Sequence, residues 1–324
     1  MQNALVRIAV GFGVAAALGA GGAWAQAYPT KPIRILIPFP AGGPADLFGR
    51  IVGQKLSESW GQPVVAENRP GATGTIGTAQ VVKSTPDGYT LLMASTSSHV
   101  SPYLYQNQPF DPNRDLEPII NVVTLPFYLV GHASFPANTL QELVAEVKKK
   151  PAFYTFASPG AGSGGHLVME MLRAAAGLDL IHVPFKGAAP AVGSTVAGQT
   201  MLVFDTISTS QPHVKGGKLK PFVVSTNARS AAVPDVPTVK ESGYPNFEAT
   251  IWFGLFAPSG TPSAIVNRIN GEVTRIMQTD EMKNRVAGIA GEFTPNTATQ
   301  FRDFARVDTE RWREVIKSTG AKAD

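Results

Sequence analysis

Two glycine-rich turns, each set between a strand pattern and a helix pattern, constrain this chain more than any other feature. The first is Ile35-Leu36-Ile37-Pro38-Phe39-Pro40-Ala41-Gly42-Gly43-Pro44-Ala45-Asp46. The second is Tyr154-Thr155-Phe156-Ala157-Ser158-Pro159-Gly160-Ala161-Gly162-Ser163-Gly164-Gly165-His166. In each, an apolar run ends in a turn open only to small residues, and a helix then begins. The first N–H groups of such a helix lack partners and carry roughly half a positive charge, a ready site for an anion. Two of them, more than a hundred residues apart, predict two lobes that meet on one anionic ligand.

The first residues read as an export signal. Arg7 is the single charge of a short n-region, and residues 8–20 are apolar and rich in Ala and Gly. Ala23-Trp24-Ala25 and Ala25-Gln26-Ala27 both fit a small-x-small cleavage site. The apolar run is too short to span a bilayer, which weighs against a membrane anchor. Excluding residues 1–27 leaves a chain long enough for about two domains. The net charge of +4 is small and unpatterned. Its one cationic run, Lys148-Lys149-Lys150, ends a helix pattern and complements the helix dipole, so nucleic acid is not an expected partner. There is no cysteine, which excludes thiol nucleophiles and thiolate metal sites.

Strand and helix patterns alternate to the C-terminus, the signature of an α/β fold with largely parallel sheets. Strands are predicted over 33–39, 63–67, 90–95, 122–132, 153–157, 180–183, 201–205, 219–226 and 251–257. Helices are predicted after Pro44, through Lys83, and over 139–150, 167–176, 189–197, 263–278 and 299–318.

Enzyme motifs are sparse. No Gly-x-Ser-x-Gly elbow presents Ser163 as a nucleophile. Gly71, Gly74 and Gly77 have neither dinucleotide nor phosphate-loop spacing, and the five histidines have no metal-ligand spacing. No cofactor and no metal are therefore expected. His166 stands at a helix start beside four glycines, where its ring can border an anion. Asp46 falls in a first helical turn, either compensating the dipole or orienting the 41–43 loop from inside the cleft. Asp205 ends a strand, facing a ligand or bracing a loop. Lys186 offers a charge near the cleft or a solvated loop lysine. Ser95, Thr96 and His99 close another strand with polar groups.

An ordered set of motifs spans residues 28–324. It runs Pro38-Phe39-x-Ala41-Gly42-Gly43-x-x-Asp46, Glu67-Asn68-Arg69-Pro70-Gly71-Ala72 and Pro86-Asp87-Gly88-Tyr89-Thr90-Leu91. It continues through Ser158-Pro159-Gly160 to His166, His182-Val183-Pro184-Phe185-Lys186-Gly187 and Phe204-Asp205, then Arg229-Ser230, Pro234-Asp235-Val236-Pro237-Thr238 and Gly254-Leu255-Phe256-Ala257-Pro258. In this the chain resembles the Bug family, the receptors of tripartite tricarboxylate transporters. The resemblance implies an α/β two-lobed periplasmic binding protein of the Venus flytrap type with two crossovers. Lobe one would hold residues 28–126 plus 251–324, and lobe two residues 127–250. It also implies capture of a small carboxylate near the 39–43 loop and delivery to membrane permease subunits, by a monomer in the periplasm. Phe stands at 185 where many relatives have Tyr, and Pro at 40 where Ala is frequent.

The expected ligand-binding residues are Phe39, Ala41, Gly42, Gly43, Asp46, Ser95, Thr96, His99, Ser158, Gly162, Ser163, His166, Phe185, Lys186 and Asp205. Phe39 and Phe185 lack hydroxyls and lie on facing loops, which favours an aromatic dicarboxylate such as terephthalate over an aliphatic hydroxy-acid. The competing readings are an exported serine hydrolase using Ser163 or Ser95, and a ligand-sensing partner of a signalling protein.

Overall fold

The computed structural model describes residues 28–105 and 109–322. The expected export signal, residues 1–27, lies outside the described residues. Strand β1 (Ile33–Ile37) buries Ile33, Ile35, Leu36 and Ile37, while Arg34 turns outward to Glu67 at 2.7 Å. It pairs in parallel with β2 (Val64–Asn68) on one side and β3 (Thr90–Ser95) on the other. Between them run α1 (Pro44–Trp60) and α2 (Thr75–Val82). Pro44 suits the first turn of α1, whose N–H groups have no intrahelical partner. Gly61, left-handed at φ 65°, closes the helix by donating to the Ser57 carbonyl.

The polar run after β3 forms a short buried helix, α3 (Thr96–Val100), where the sequence pattern indicated only a strand end. Its signal is a capping box: Ser95 Oγ accepts from the Ser97 N–H while Ser98 Oγ accepts from the Ser95 N–H. A single turn, α4 (Pro112–Asp115), leads into β4 (Leu116–His132), longer than the predicted 122–132.

Strand β4 joins the lobes. Residues 116–126 pair antiparallel with β9 (Thr250–Pro258), and residues 127–131 pair antiparallel with β7 (Leu202–Thr206). Pro126, which has no N–H to give a ladder, stands where the partners change. Ser225 ties this point together: its Oγ accepts from the Phe127 N–H and donates to the Ala249 carbonyl. Lobe two continues with α5 (Leu140–Lys149), β5 (Thr155–Ser158), α6 (Gly164–Ala176), β6 (Ile181–Pro184) and α7 (Ala188–Val196). It ends with α8 (Ile207–Lys215) and β8 (Leu219–Val224), and β8 pairs with β4.

The strand order is β2-β1-β3-β9-β4-β7-β5-β6, with β8 on β4. The sheets are mixed. β1–β3 and β5–β7 run parallel within each lobe, and β4, β8 and β9 are antiparallel. After β9 come α9 (Ser263–Met277), α10 (Asp280–Gly288) and α11 (Ala298–Thr319). Helix α11 buries Phe301, Trp312 and Ile316 and packs on β4, α3 and α6, so it spans both lobes.

Candidate functional site

A cavity of about 730 Å³ opens between the lobes, within the usual range for small-molecule sites. Loops after β1, β2 and β3 line one side, and loops after β5, β6 and β7 line the other. All are C-terminal strand ends, where ligands of open parallel sheets bind. Phe127, Ile251 and Phe253, from the two crossover strands, form the floor. Side chains alternate along a strand, so Ile251 and Phe253 face the cleft while Trp252 points the other way into the core.

Of the expected site residues, Phe39, Ala41, Gly43, Ser95, Ser163, Phe185, Lys186 and Asp205 line the cavity. Asp46, Thr96, His99, Ser158, Gly162 and His166 are buried outside the lining, and Gly42 is exposed on its loop without lining the cavity. Asp46 orients its loop from the back and not from inside the cleft. It accepts from the Gly42 N–H at 3.1 Å, from Asn68 Nδ2 at 2.9 Å and from Arg50 Nε at 2.9 Å. Burial alone would raise its carboxyl, but these donors hold it below the ordinary carboxylate range. The Gly42 N–H is thus engaged, while α1 has no side-chain cap, leaving its first-turn N–H groups for a ligand. The two roles weighed for Asp46 separate cleanly in an Asp46→Ala variant. Losing the brace should weaken carboxylate binding about tenfold or more, on the scale of one charge-assisted hydrogen bond. Calorimetry on Asp46→Ala giving unchanged affinity would remove Asp46 from the site.

The second turn is less open. Ser163 caps α6 by accepting from the His166 N–H, Gly162 N donates to His166 Nδ1 at 3.0 Å, and Gly164 N donates across the cleft to Ser97 Oγ at 3.2 Å. His166 therefore holds the turn from beneath and does not border the cavity. Its ring stacks on His182 at 4.0 Å, and His182 stacks on Phe156 at 4.7 Å. Burial pushes His166 down to about 3 and His182 to about 4, with Arg173 adding to both. A neutral His166 is what this site requires, because Nδ1 must accept. His99 has a different fate. It is buried against Trp252 and Phe256, and burial pushes it down to about 3. Thr96 Oγ1 accepts from the Trp252 N–H.

One pair has the look of a nucleophile and its base: Ser158 Oγ lies 2.7 Å from His182 Nε2. Ser158 is wholly buried, away from the cavity, and its hydroxyl also engages Gly160 through both N–H and carbonyl. Ser163 and Ser95 serve as helix caps. Among the described residues no cluster of His, Asp or Glu is arranged to hold a metal, and no helix is long and apolar enough to cross a membrane.

The sequence reading missed the loop after β2. Gly71, Ala72, Thr73 and Gly74 all have positive φ, and all line the cavity. Thr73, at φ 53°, donates from Oγ1 to the Ala161 carbonyl of the opposite loop at 2.8 Å and contacts Tyr105 Oη at 3.0 Å. On the far side Gly187 lies under Pro40, where an added Cβ would come within 3.2 Å. The lobes are thus in contact across the cleft. The signal was present: 71–77 is a third glycine turn between a strand and a helix, of the same kind as the first two.

Residues 48–321 match the family model described as "Tripartite tricarboxylate transporter family receptor". The chain belongs to that family. It is 34% identical to protein BugT of Bordetella pertussis over 300 residues, covering 92% of each chain. A Rhodopseudomonas palustris protein solved with adipate superposes with a TM-score of 0.88 at 29% identity, covering 91% of this chain and 99% of that one. MatC of the same organism, solved with bound malate, gives 0.84 at 29% identity, covering 89% and 100%. The chain is accordingly a two-lobed binding protein and a substrate-binding receptor, not an enzyme.

Proposed function

We propose that this receptor captures a small organic dicarboxylate in the periplasm, after removal of residues 1–27, and delivers it as a monomer to permease subunits of a tripartite tricarboxylate-type transporter. The moving bodies are residues 28–126 with 251–324, and residues 127–250, turning about the point where β4 changes partners. Carboxylate binding is supported by the adipate and malate held by two related structures. The expected ligand-binding residues divide between contact and support. Phe39, Ala41, Gly43, Ser95, Ser163, Phe185, Lys186 and Asp205 meet the ligand; Asp46 and His166 hold the two loops in shape.

The observation that carries the finer reading is the wall of the cavity. Phe39, Phe127, Phe185 and Phe253 all line it, and charged groups there are few. A flat ring presents its faces to such walls, and its carboxylate reaches the uncapped start of α1. An aliphatic hydroxy-acid would need a hydrogen-bond partner for each hydroxyl, at about 1–3 kcal/mol for each one left unpaired. An aromatic dicarboxylate, with terephthalate as the test compound, is the proposed class. A thermal-shift panel of terephthalate, phthalates, adipate, succinate, malate and citrate decides it. The largest shift is expected with terephthalate. A strong shift with citrate or succinate and none with the aromatic acids would overturn the aromatic assignment and leave the carboxylate assignment standing.

A further inference from the structure

Among the described residues, Asp205 is the one acidic residue lining the cavity. It ends β7, where the chain turns into α8. The residue is 4% exposed. Its Oδ1 accepts the Thr206 N–H at 2.7 Å, and its Oδ2 is shielded from solvent with no hydrogen-bond partner.

No cation among the described residues pairs with it. Tyr128, opposite Asp205 in the β4–β7 register, sends its hydroxyl to Gln211 on α8. His166, on α6, is engaged by Gly162. His182, on β6, is engaged by Ser158. Helix α7 carries no charged side chain. Lys186 lines the same cavity on the loop after β6, exposed and in no ion pair. On α8, His213 and Lys215 stand at the far, C-terminal end. Burial pushes the Asp205 carboxyl up to about 6, against the Thr206 N–H and the Thr209 hydroxyl, which lower it.

A lone buried carboxylate is unfavourable, and a second negative charge brought beside it makes full ionisation of both more so. A proton shared between the two carboxyl groups removes the conflict. We propose that Asp205 and the ligand carboxylate at the lobe-two end share one proton, taken up from solvent as the cleft closes. The O–H of one carboxyl group then donates to the carboxylate oxygen of the other. This rests on the dicarboxylate reading above and makes Asp205 the residue that selects what stands at that end. An ionised carboxylate enters with a proton, and a carboxamide enters without one, because its N–H donates to ionised Asp205.

The experiment is calorimetry of the full receptor with terephthalate at pH 8, in buffers of different ionisation enthalpy. About one proton taken up per ligand bound is expected, with affinity falling about tenfold per pH unit above pH 8, the slope for a single linked proton. Asp205→Asn should bind with no proton uptake and lose this pH dependence. Terephthalamate should bind the unaltered protein without uptake. Terephthalate bound without proton uptake, or the same uptake in Asp205→Asn, would overturn the shared proton while leaving dicarboxylate capture intact. If no dicarboxylate binds, the functional reading fails and the shared proton fails with it. The buffer comparison on the unaltered protein stands even if Asp205→Asn does not fold.

Discussion

Replacing Trp252 by alanine should lower stability by about 4 kcal/mol, the largest effect expected of any single change here. Trp252 is fully buried on β9, edge-on to Phe301 at 5.3 Å and beside His99 at 4.9 Å. Its Nε1–H donates to Asp308 Oδ2 at 2.8 Å. Deletion leaves a cavity and takes a donor from a buried carboxylate that burial already raises. At about 2–4 °C per kcal/mol for a chain of this size, the melting midpoint should fall by roughly 10 °C or more. Trp252→Phe separates the two causes, because it keeps most of the volume and loses only the donor. A midpoint within about 2 °C of the parent for Trp252→Ala, roughly the effect of 1 kcal/mol, would contradict this packing.

Gly165→Ala should cost about 3 kcal/mol, at the upper end for an overpacked site. An added Cβ would lie 2.3 Å from the Phe204 carbonyl oxygen and 3.2 Å from Pro159 Cδ. The obstacle is backbone, so no side chain can swing away, and α6 must retreat from β7. That moves the second glycine turn and Asp205 together, so ligand affinity should fall with stability. Gly271, exposed in α9 with nothing within 4 Å of where a Cβ would stand, is the control. There alanine should stabilise by about 0.5–1 kcal/mol through helix propensity alone. Chemical denaturation of both variants checks the pair. Equal effects at the two positions would mean that α6 does not sit as close to β7 as described.

The sequence carried the alternation of strands and helices, the buried run of β1 and both glycine turns, because each rests on a local pattern. Four helices escaped for physical reasons, α4 (Pro112–Asp115) because it is a single turn too short to show a period. Helix α3 is a run of Ser, Thr and His without apolar periodicity, held by its capping box and its burial. Helix α8 contains Pro212, and α10 is mostly polar. The early part of β4 contains Glu117, Pro118 and Asn121, with register shifts beside them, so it reads as a loop.

Within the site, the residues at loop tips were legible, since Phe39, Gly43 and Phe185 follow directly from strand ends. What lay behind them was not. His99 and His166 are polar in the sequence and buried in the fold, one against Trp252 and the other under its own loop. Phe127, Ile251 and Phe253 read as ordinary strand residues. Only the meeting of β4 and β9 makes them the floor of a cleft.

The two lobes are expected to close on one carboxylate. Thr73 bonded to Ala161 and Gly164 bonded to Ser97 join the two sides of the cleft. A ligand that touches both lobes favours a closed form over an open one by its differential affinity. Small-angle X-ray scattering with and without saturating carboxylate, using the acid that gives the largest thermal shift, tests this most directly. A larger radius of gyration is expected without ligand, with compaction on binding. Superimposable profiles under the two conditions would contradict it.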